Sequence, residues 1–250
     1  MFQKTKMDIY SRILENSKKG QKQIAVLIDP DKHEPSEFDA IAKRMSVHDI
    51  DYFFIGGSLL SRDLLEECLI AFKKVTNIPL VIFPGGVMQV NSKADAILFL
   101  SLVSGRNAEL LIGKHVESVP YILDAKIETI STAYLIIESG NITTAQYISN
   151  TLPIPSDKPE IASLTAKAGE LLGMKQVYLD AGSGALNSVP TKMIKTVKKA
   201  IKVPLIVGGG IRSAKDAKEK FDAGADLIVV GNVLEKDESI LNEMMEILKK

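Results

Sequence analysis

Eight short apolar runs punctuate the chain, and most are uninterrupted rather than alternating. They are QIAVLI at 23–28, YFFI at 52–55, LVIF at 80–83, AILFL at 96–100, ISTAYLII at 130–137, QVYL at 176–179, LIV at 205–207 and LIVV at 227–230. A strand with one wet face alternates apolar and polar residues, so unbroken aliphatic and β-branched runs fit a parallel sheet covered on both faces. Stretches of helical period separate most of them, over 36–48, 61–75, 106–118, 157–172, 190–201, 213–223 and 238–249. Ser36, Ser61, Thr191 and Ser213 stand where helices would start, and Gly173 and Gly224 where helices would stop. Strands alternating with helices in this number predict a single (β/α)8 barrel over residues 1–250, with an open doubly wound sheet as the alternative.

Two intervals break the rhythm. Between Phe83 and Ala96 lie only PGGVMQVNSKAD, whose proline, glycines and asparagine disfavour a crossover helix. The third helix of the barrel is therefore expected to be shortened or missing. From Gly140 to Pro159 the chain carries NTLPIPSDKP and reads as a long loop, the kind that usually binds or covers a ligand.

Composition changes this picture little. The chain has 250 residues, 46% hydrophobic and 25% charged, enough for one large core. Lys plus Arg balances Asp plus Glu at 31 each, which removes the general electrostatic case for a nucleic-acid partner. Cys68 is the single cysteine, so no disulfide forms within the chain, and its helical surroundings make it a packing residue. The first twenty residues read as a short amphipathic helix without a signal-peptide core, and no apolar run nears the ~20 residues of a membrane span. Cytoplasmic localisation is expected. His33, His48 and His115 lack zinc-like spacing and are assigned to the surface. Arg106 is expected to begin a helix near a strand end.

Candidate chemistry lies at the strand ends. Three consecutive strands run into YLDAGSGA, VGGGIRS and VVGN. Glycine lets backbone amides approach a ligand, and a following helix N-terminus favours an anion, so these loops predict a phosphate site in the place where β/α barrels often have one. After the first two strands, Asp29 and Asp31 in LIDPDK and Ser58 in FIGGS offer oxygen ligands suited to Mg2+; the Asp-Pro-Asp run also fits a plain turn.

Taken together, LIDPDK, FIGGS, PLVIFPGG, ADAILFLSLVSGRN, STAYLII, SNTLPIP, YLDAGSGA, VGGGIRS and VVGN resemble the geranylgeranylglyceryl phosphate synthase family over essentially the whole chain. The SGRN and SNTLPIP segments are similar to its second group. The resemblance implies a barrel with an atypical third helix and a Mg2+-dependent transfer of a prenyl group, geranylgeranyl above all, from its diphosphate to the sn-3 hydroxyl of sn-glycerol 1-phosphate. It implies a metal site at Asp29 and Ser58. It implies a glycerol phosphate site at Tyr178, Leu179, Asp180, Ala181, Gly182, Ser183, Gly184, Gly208, Gly209, Gly210, Gly231 and Asn232. A homo-oligomer, dimer or hexamer, and transient contact of the lipid product with a membrane surface are part of the same expectation.

The chain departs from the family twice. Asp180 stands where the family usually has Glu, and Leu27 where the first group has Lys. The residues carry the implied chemistry on physical grounds as well. Asp180 is the candidate proton acceptor, a role worth typically ~10²–10⁴-fold, and the Tyr178 ring is a candidate to stabilise an allylic cation. A prenyl groove is expected along Phe99, Leu100, Leu102 and Val103, with Tyr121 and Tyr134 beside them. Glycine-rich loops also serve sugar-phosphate isomerases and FMN-dependent oxidoreductases, and a non-catalytic phosphate-binding barrel is the remaining alternative.

Overall fold

The computed structural model describes residues 8–231 and 239–248. Eight parallel strands close into a barrel in chain order. They are β1 (Gln23–Ile28), β2 (Tyr52–Ile55), β3 (Leu80–Ile82), β4 (Ala96–Leu102), β5 (Glu128–Ile136), β6 (Gln176–Asp180), β7 (Leu205–Gly208) and β8 (Leu227–Val230). Closure is direct: Ala25 pairs with Tyr52 of β2 on one side and with Val229 of β8 on the other. The closed barrel sets aside the open doubly wound sheet.

The unbroken apolar runs have a simple cause. Alternate residues of each strand enter two separate cores. Ala25, Tyr52, Phe54, Val81, Leu98, Ile130, Ile206 and Leu227 fill the barrel, while Ile24, Val26, Phe53, Ile55, Leu135, Val177 and Leu205 pack against the helices outside. The helix α1 (Ile9–Lys18) adds Ile9 and Ile13 to the interior core. Glu128, the first residue of β5, accepts the amides of Ile9 at 2.6 Å and Tyr10 at 2.9 Å, so its carboxylate meets the positive end of α1.

The outer layer comprises α2 (Phe38–Ser46), α3 (Leu65–Val75), α4 (Lys114–Ala125), α5 (Thr144–Ser149), α6 (Pro159–Leu171), α7 (Thr191–Ala200), α8 (Ala214–Asp222) and α9 (Ser239–Leu248). No helix lies between β3 and β4, as the proline- and glycine-rich interval predicts. Among the described residues no helix is long and apolar enough to cross a membrane.

Local expectations fare unevenly. Ser213 caps α8 by accepting the Asp216 amide at 3.1 Å, and Gly173 and Gly224 follow their helices at φ +90° and +115°. Ser61 does not start a helix: both its amide and its hydroxyl bond to Asp31, and α3 begins at Leu65. Ser36 lies in a 3₁₀ turn, Pro35–Glu37, and α2 follows it. Arg106 sits at φ +52° ahead of a π-helical turn, Glu109–Gly113, that leads into α4. His115 is buried rather than superficial, because α4 turns it inward onto Ser101 Oγ at 3.1 Å and edge-on to Phe99 at 4.5 Å. Cys68 is buried in α3, and burial pushes its thiol up to about 12, which removes it from nucleophilic chemistry.

Candidate active site

At the C-terminal end of the strands, the loops enclose a polar cavity of about 170 Å3. The sequence-predicted residues Asp29, Ser58, Tyr178, Asp180, Gly182, Ser183, Gly184, Gly209, Gly210 and Gly231 all line it. Leu179 and Ala181 do not, since the strand period turns both side chains into the outer core. Gly208 is also outside the lining. A Cβ there would lie 2.4 Å from the Tyr178 hydroxyl, so this glycine makes room for the tyrosine. Asn232 lies outside the described residues.

Gly209 has φ +80°, and a Cβ on it would meet the Gly182 amide nitrogen at 2.6 Å. The loops after β6 and β7 are thus pressed backbone to backbone, a contact only glycine allows. Arg212 straps them further, donating to the Ala185 carbonyl at 2.6 Å, and α8 points its capped N-terminus toward the same end of the barrel.

Asp180 is 6% exposed at the floor of this cavity. The Tyr134 hydroxyl donates to its Oδ2 at 2.5 Å and the Gly182 amide to its Oδ1 at 2.7 Å. Burial raises the Asp180 carboxyl above the ordinary aspartate range, while these two hydrogen bonds pull it back down. Burial also holds the phenols of Tyr134 and Tyr178 well above their usual range, so both remain protonated donors. The rings of Phe83, Tyr134 and Tyr178 form a triad, with centroids 5.5 Å apart for the tyrosines and 5.6 Å for Phe83 and Tyr178. Phe83–Tyr134 closes it at 6.0 Å.

The opposite wall carries Asp29 and Ser58. Asp29 caps a 3₁₀ turn, Pro30–Lys32, by accepting the Asp31 amide at 3.1 Å. Gly57 brings the loop after β2 against it: a Cβ there would lie 3.2 Å from the Asp29 carboxylate. One carboxylate and one hydroxyl in a polar cavity suit Mg2+, which usually keeps waters and takes its remaining oxygens from phosphates. Among the described residues no group of three or more His, Cys, Asp or Glu gathers. Asp31 has a different task. It binds Ser61 and the Arg62 amide, and Arg62 returns to the carbonyls of Asp31 and His33, locking two βα loops together.

A second, larger cavity of about 790 Å3 runs from the same floor beneath α4. Its walls are mostly apolar, with Lys114 and Glu117 also in the lining, and come chiefly from the loop after β3, from β4, α4 and β5, and from α5. The predicted groove residues Phe99, Leu100, Leu102, Tyr121 and Tyr134 line it, whereas Val103 packs against the outer core instead. Space for this cavity exists beside the interval that has no crossover helix. The stretch 140–159 is not one long loop as expected, because Thr144–Ser149 forms α5, and this helix touches both cavities: Thr144 lines the polar one, and Ala145 and Ile148 the apolar one. Ser58 and Phe83 line both, so the two cavities meet there.

Sequence reasoning missed Phe83, which looks like any strand-end core residue, and Lys32, which looks like a solvated turn cation. Among the described residues, Lys32 is the sole lysine or arginine lining the polar cavity. A positive charge five residues after the Leu27 departure was the available signal for it. His115 and Ser118, on the cavity wall, gave no signal beyond helical period.

The PcrB family model matches residues 17–250. A geranylgeranylglyceryl phosphate synthase of Chitinophaga pinensis is 50% identical over 238 residues, 95% of this chain and 94% of that protein. One from Spirosoma linguale is 45% identical over 92% of this chain and 93% of its own length. Among solved structures, (S)-3-O-geranylgeranylglyceryl phosphate synthase from Thermoplasma acidophilum, in complex with its substrate sn-glycerol-1-phosphate, superposes with a TM-score of 0.91 at 32% identity, covering 97% of this chain and 99% of that one. With the family model matching residues 17–250 and likeness to named relatives over nearly its whole length, the chain belongs to the PcrB family, among relatives called geranylgeranylglyceryl phosphate synthases.

Proposed function

We propose that the protein is a prenyltransferase that joins a prenyl diphosphate, geranylgeranyl diphosphate in the first instance, to the sn-3 hydroxyl of sn-glycerol 1-phosphate with the help of Mg2+. The observation that carries this reading is the meeting of a small polar cavity and a large apolar one at Ser58 and Phe83. The volume of the apolar cavity, about 790 Å3, suits a long hydrocarbon and exceeds the needs of a sugar phosphate. The names of the relatives, and the substrate in the Thermoplasma acidophilum structure, support the same pair of substrates.

In this reading the glycine loops after β6, β7 and β8 receive the glycerol phosphate through backbone amides, with the α8 N-terminus behind them. The prenyl chain lies in the apolar cavity, which excludes water from a reactive allylic cation. Its diphosphate lies toward Lys32, Asp29 and Ser58. Lys32 takes the place of the cation absent at Leu27. Asp29 and Ser58 would hold Mg2+, which when bound supplies charge to the departing diphosphate. The allylic C–O bond breaks and the diphosphate leaves with the electron pair. The glycerol oxygen forms the new C–O bond and its proton passes to Asp180. The rings of Phe83, Tyr134 and Tyr178 gather at the junction of the two cavities, where an aromatic face presented to the developing positive charge would stabilise it.

Assembly into a homo-oligomer belongs to the same proposal. Ile112, Val116, Val119 and Leu123 recur at steps of three and four residues along α4 and the turn before it, all exposed, a row whose burial a second copy would provide. Light scattering after size exclusion tests it. Cytoplasmic localisation and contact of the product with a membrane surface complete the reading.

The deciding experiment incubates the protein with sn-glycerol 1-phosphate or its enantiomer and prenyl diphosphates of several lengths, with Mg2+ or a chelator, and weighs the products. Ether product from sn-glycerol 1-phosphate alone, abolished by the chelator, is the expected result. Absence of ether product at every chain length overturns the reading.

A further inference from the structure

Tyr134 links the two cavities. Its ring is in the wall of the apolar cavity, and its hydroxyl donates at 2.5 Å to Oδ2 of Asp180, which lines the polar one. The side chain is 7% exposed and is wedged edge-on between Tyr178 and Phe83, so the ring has little freedom to turn. Strand register fixes its height: Tyr134 pairs with Tyr178, and Ile136 with Asp180. The hydroxyl therefore reaches up one step of the barrel wall to a residue on the neighbouring strand.

The other carboxylate oxygen is held independently by the Gly182 amide. Two donors from two elements leave Asp180 a single orientation. A carboxylate offers about four lone-pair positions, so each oxygen can still accept a proton from a substrate hydroxyl. Such clamping matters more for aspartate than for a longer side chain, because Asp180 must present its oxygen from a fixed backbone position with little reach.

We propose that Tyr134 is a positioning residue that aims the Asp180 carboxylate at the junction with the prenyl cavity. This inference rests on the prenyl transfer proposed above. Among the described residues, the other titratable groups around the polar cavity are Tyr178 on β6 and Asp29 and Lys32 after β1. Ser58 comes from the β2 loop, Thr144 from the start of α5, and the loops after β7 and β8 contribute Gly209, Gly210, Ile211 and Gly231. Tyr134 and the Gly182 amide are the two groups bonded to the Asp180 carboxylate oxygens.

Tyr134→Phe keeps the ring in the apolar wall and removes the hydroxyl alone. The expected result is a fall in kcat of about 10- to 100-fold, the range for one hydrogen bond to a charged group, with KM for the prenyl diphosphate within about twofold of wild type. Loss of a donor to the ionised form raises the carboxyl pKa, so the acid limb of the kcat/KM profile moves to higher pH by about one unit. In an Asp180→Asn background the same substitution costs nothing further.

A readout independent of turnover is the 13Cγ signal of Asp180, assigned with Asp180→Asn and titrated in both proteins. Its midpoint is expected to rise by about one unit in Tyr134→Phe. An unchanged midpoint with unchanged kcat overturns the inference, as does a rise in prenyl KM with kcat intact, which makes Tyr134 a wall residue only. If the wild-type protein transfers no prenyl group, the proposed function fails, while the 13C titration still decides whether Tyr134 governs Asp180.

Discussion

The two cavities that meet at Phe83 are built from different materials. The polar one is largely backbone, made of glycine-rich loops that follow three successive strands, with Asp29, Ser58 and Asp180 as its chemical side chains. The apolar one is mostly side chain, drawn chiefly from elements between β3 and α5 that only the closed barrel brings together. Backbone recognition depends on φ and close approach, which glycine writes into local sequence. Side-chain walls depend on how distant elements pack, and hydrophobic residues read alike whether they line a groove or fill a core. The polar cavity should accordingly be brittle to single changes and the apolar one graded in its response.

Asp180→Asn breaks the polar side hardest. The amide oxygen of Asn can still accept the Gly182 amide, so the turn persists, while the proton acceptor is lost. A fall in kcat of about 10²- to 10⁴-fold with a smaller change in KM is expected, and Asp180→Glu should keep substantial activity. Steady-state kinetics of both variants check this, and an Asn variant within about threefold of wild type, ~0.65 kcal/mol in barrier, removes Asp180 from catalysis.

Asp29→Asn comes next. Asn preserves the cap on the 3₁₀ turn, so the thermal melt should hardly move, whereas turnover at limiting Mg2+ should fall on the order of 100-fold. Titrating Mg2+ in both proteins separates the two effects. Normal turnover with unaltered Mg2+ dependence places the metal elsewhere.

The apolar side answers by degrees. Ser118 lies in the wall of the larger cavity, 7% exposed. Ser118→Phe fills part of that volume, so the ratio of kcat/KM for the longest to the shortest accepted prenyl diphosphate should drop roughly 10- to 100-fold, with KM for glycerol phosphate within about twofold. Equal losses for all lengths would mean that the chain does not run past Ser118.

The smallest effect is expected at Gly231, where a Cβ would make only ordinary contact with Leu27 at 3.5 Å. Gly231→Ala should raise KM for glycerol phosphate about two- to tenfold at an unchanged melting temperature. Gly209 cannot serve for this measurement, because its Cβ would collide with the β6 loop and confuse folding with binding.

The sequence alone carried a great deal of this protein. Unbroken apolar runs declared strands buried on both faces, proline and glycine between Phe83 and Ala96 excluded a helix, and glycines after the last three strands marked the loops that line the polar cavity. Each of these signals is local, because backbone conformation and periodicity are properties of consecutive residues. Helix starts were less legible: Ser61 has the chemistry of a cap but is captured by Asp31 from another loop. Phe83 and the link from Tyr134 to Asp180 were invisible for a related reason. Tyr134 and Asp180 stand 46 residues apart, and β5–β6 register with barrel curvature brings them within 2.5 Å. His115 belongs with them, a surface residue by composition until α4 turns it onto Ser101. Contacts between distant elements depend on packing geometry, and that geometry exists only once the barrel has closed.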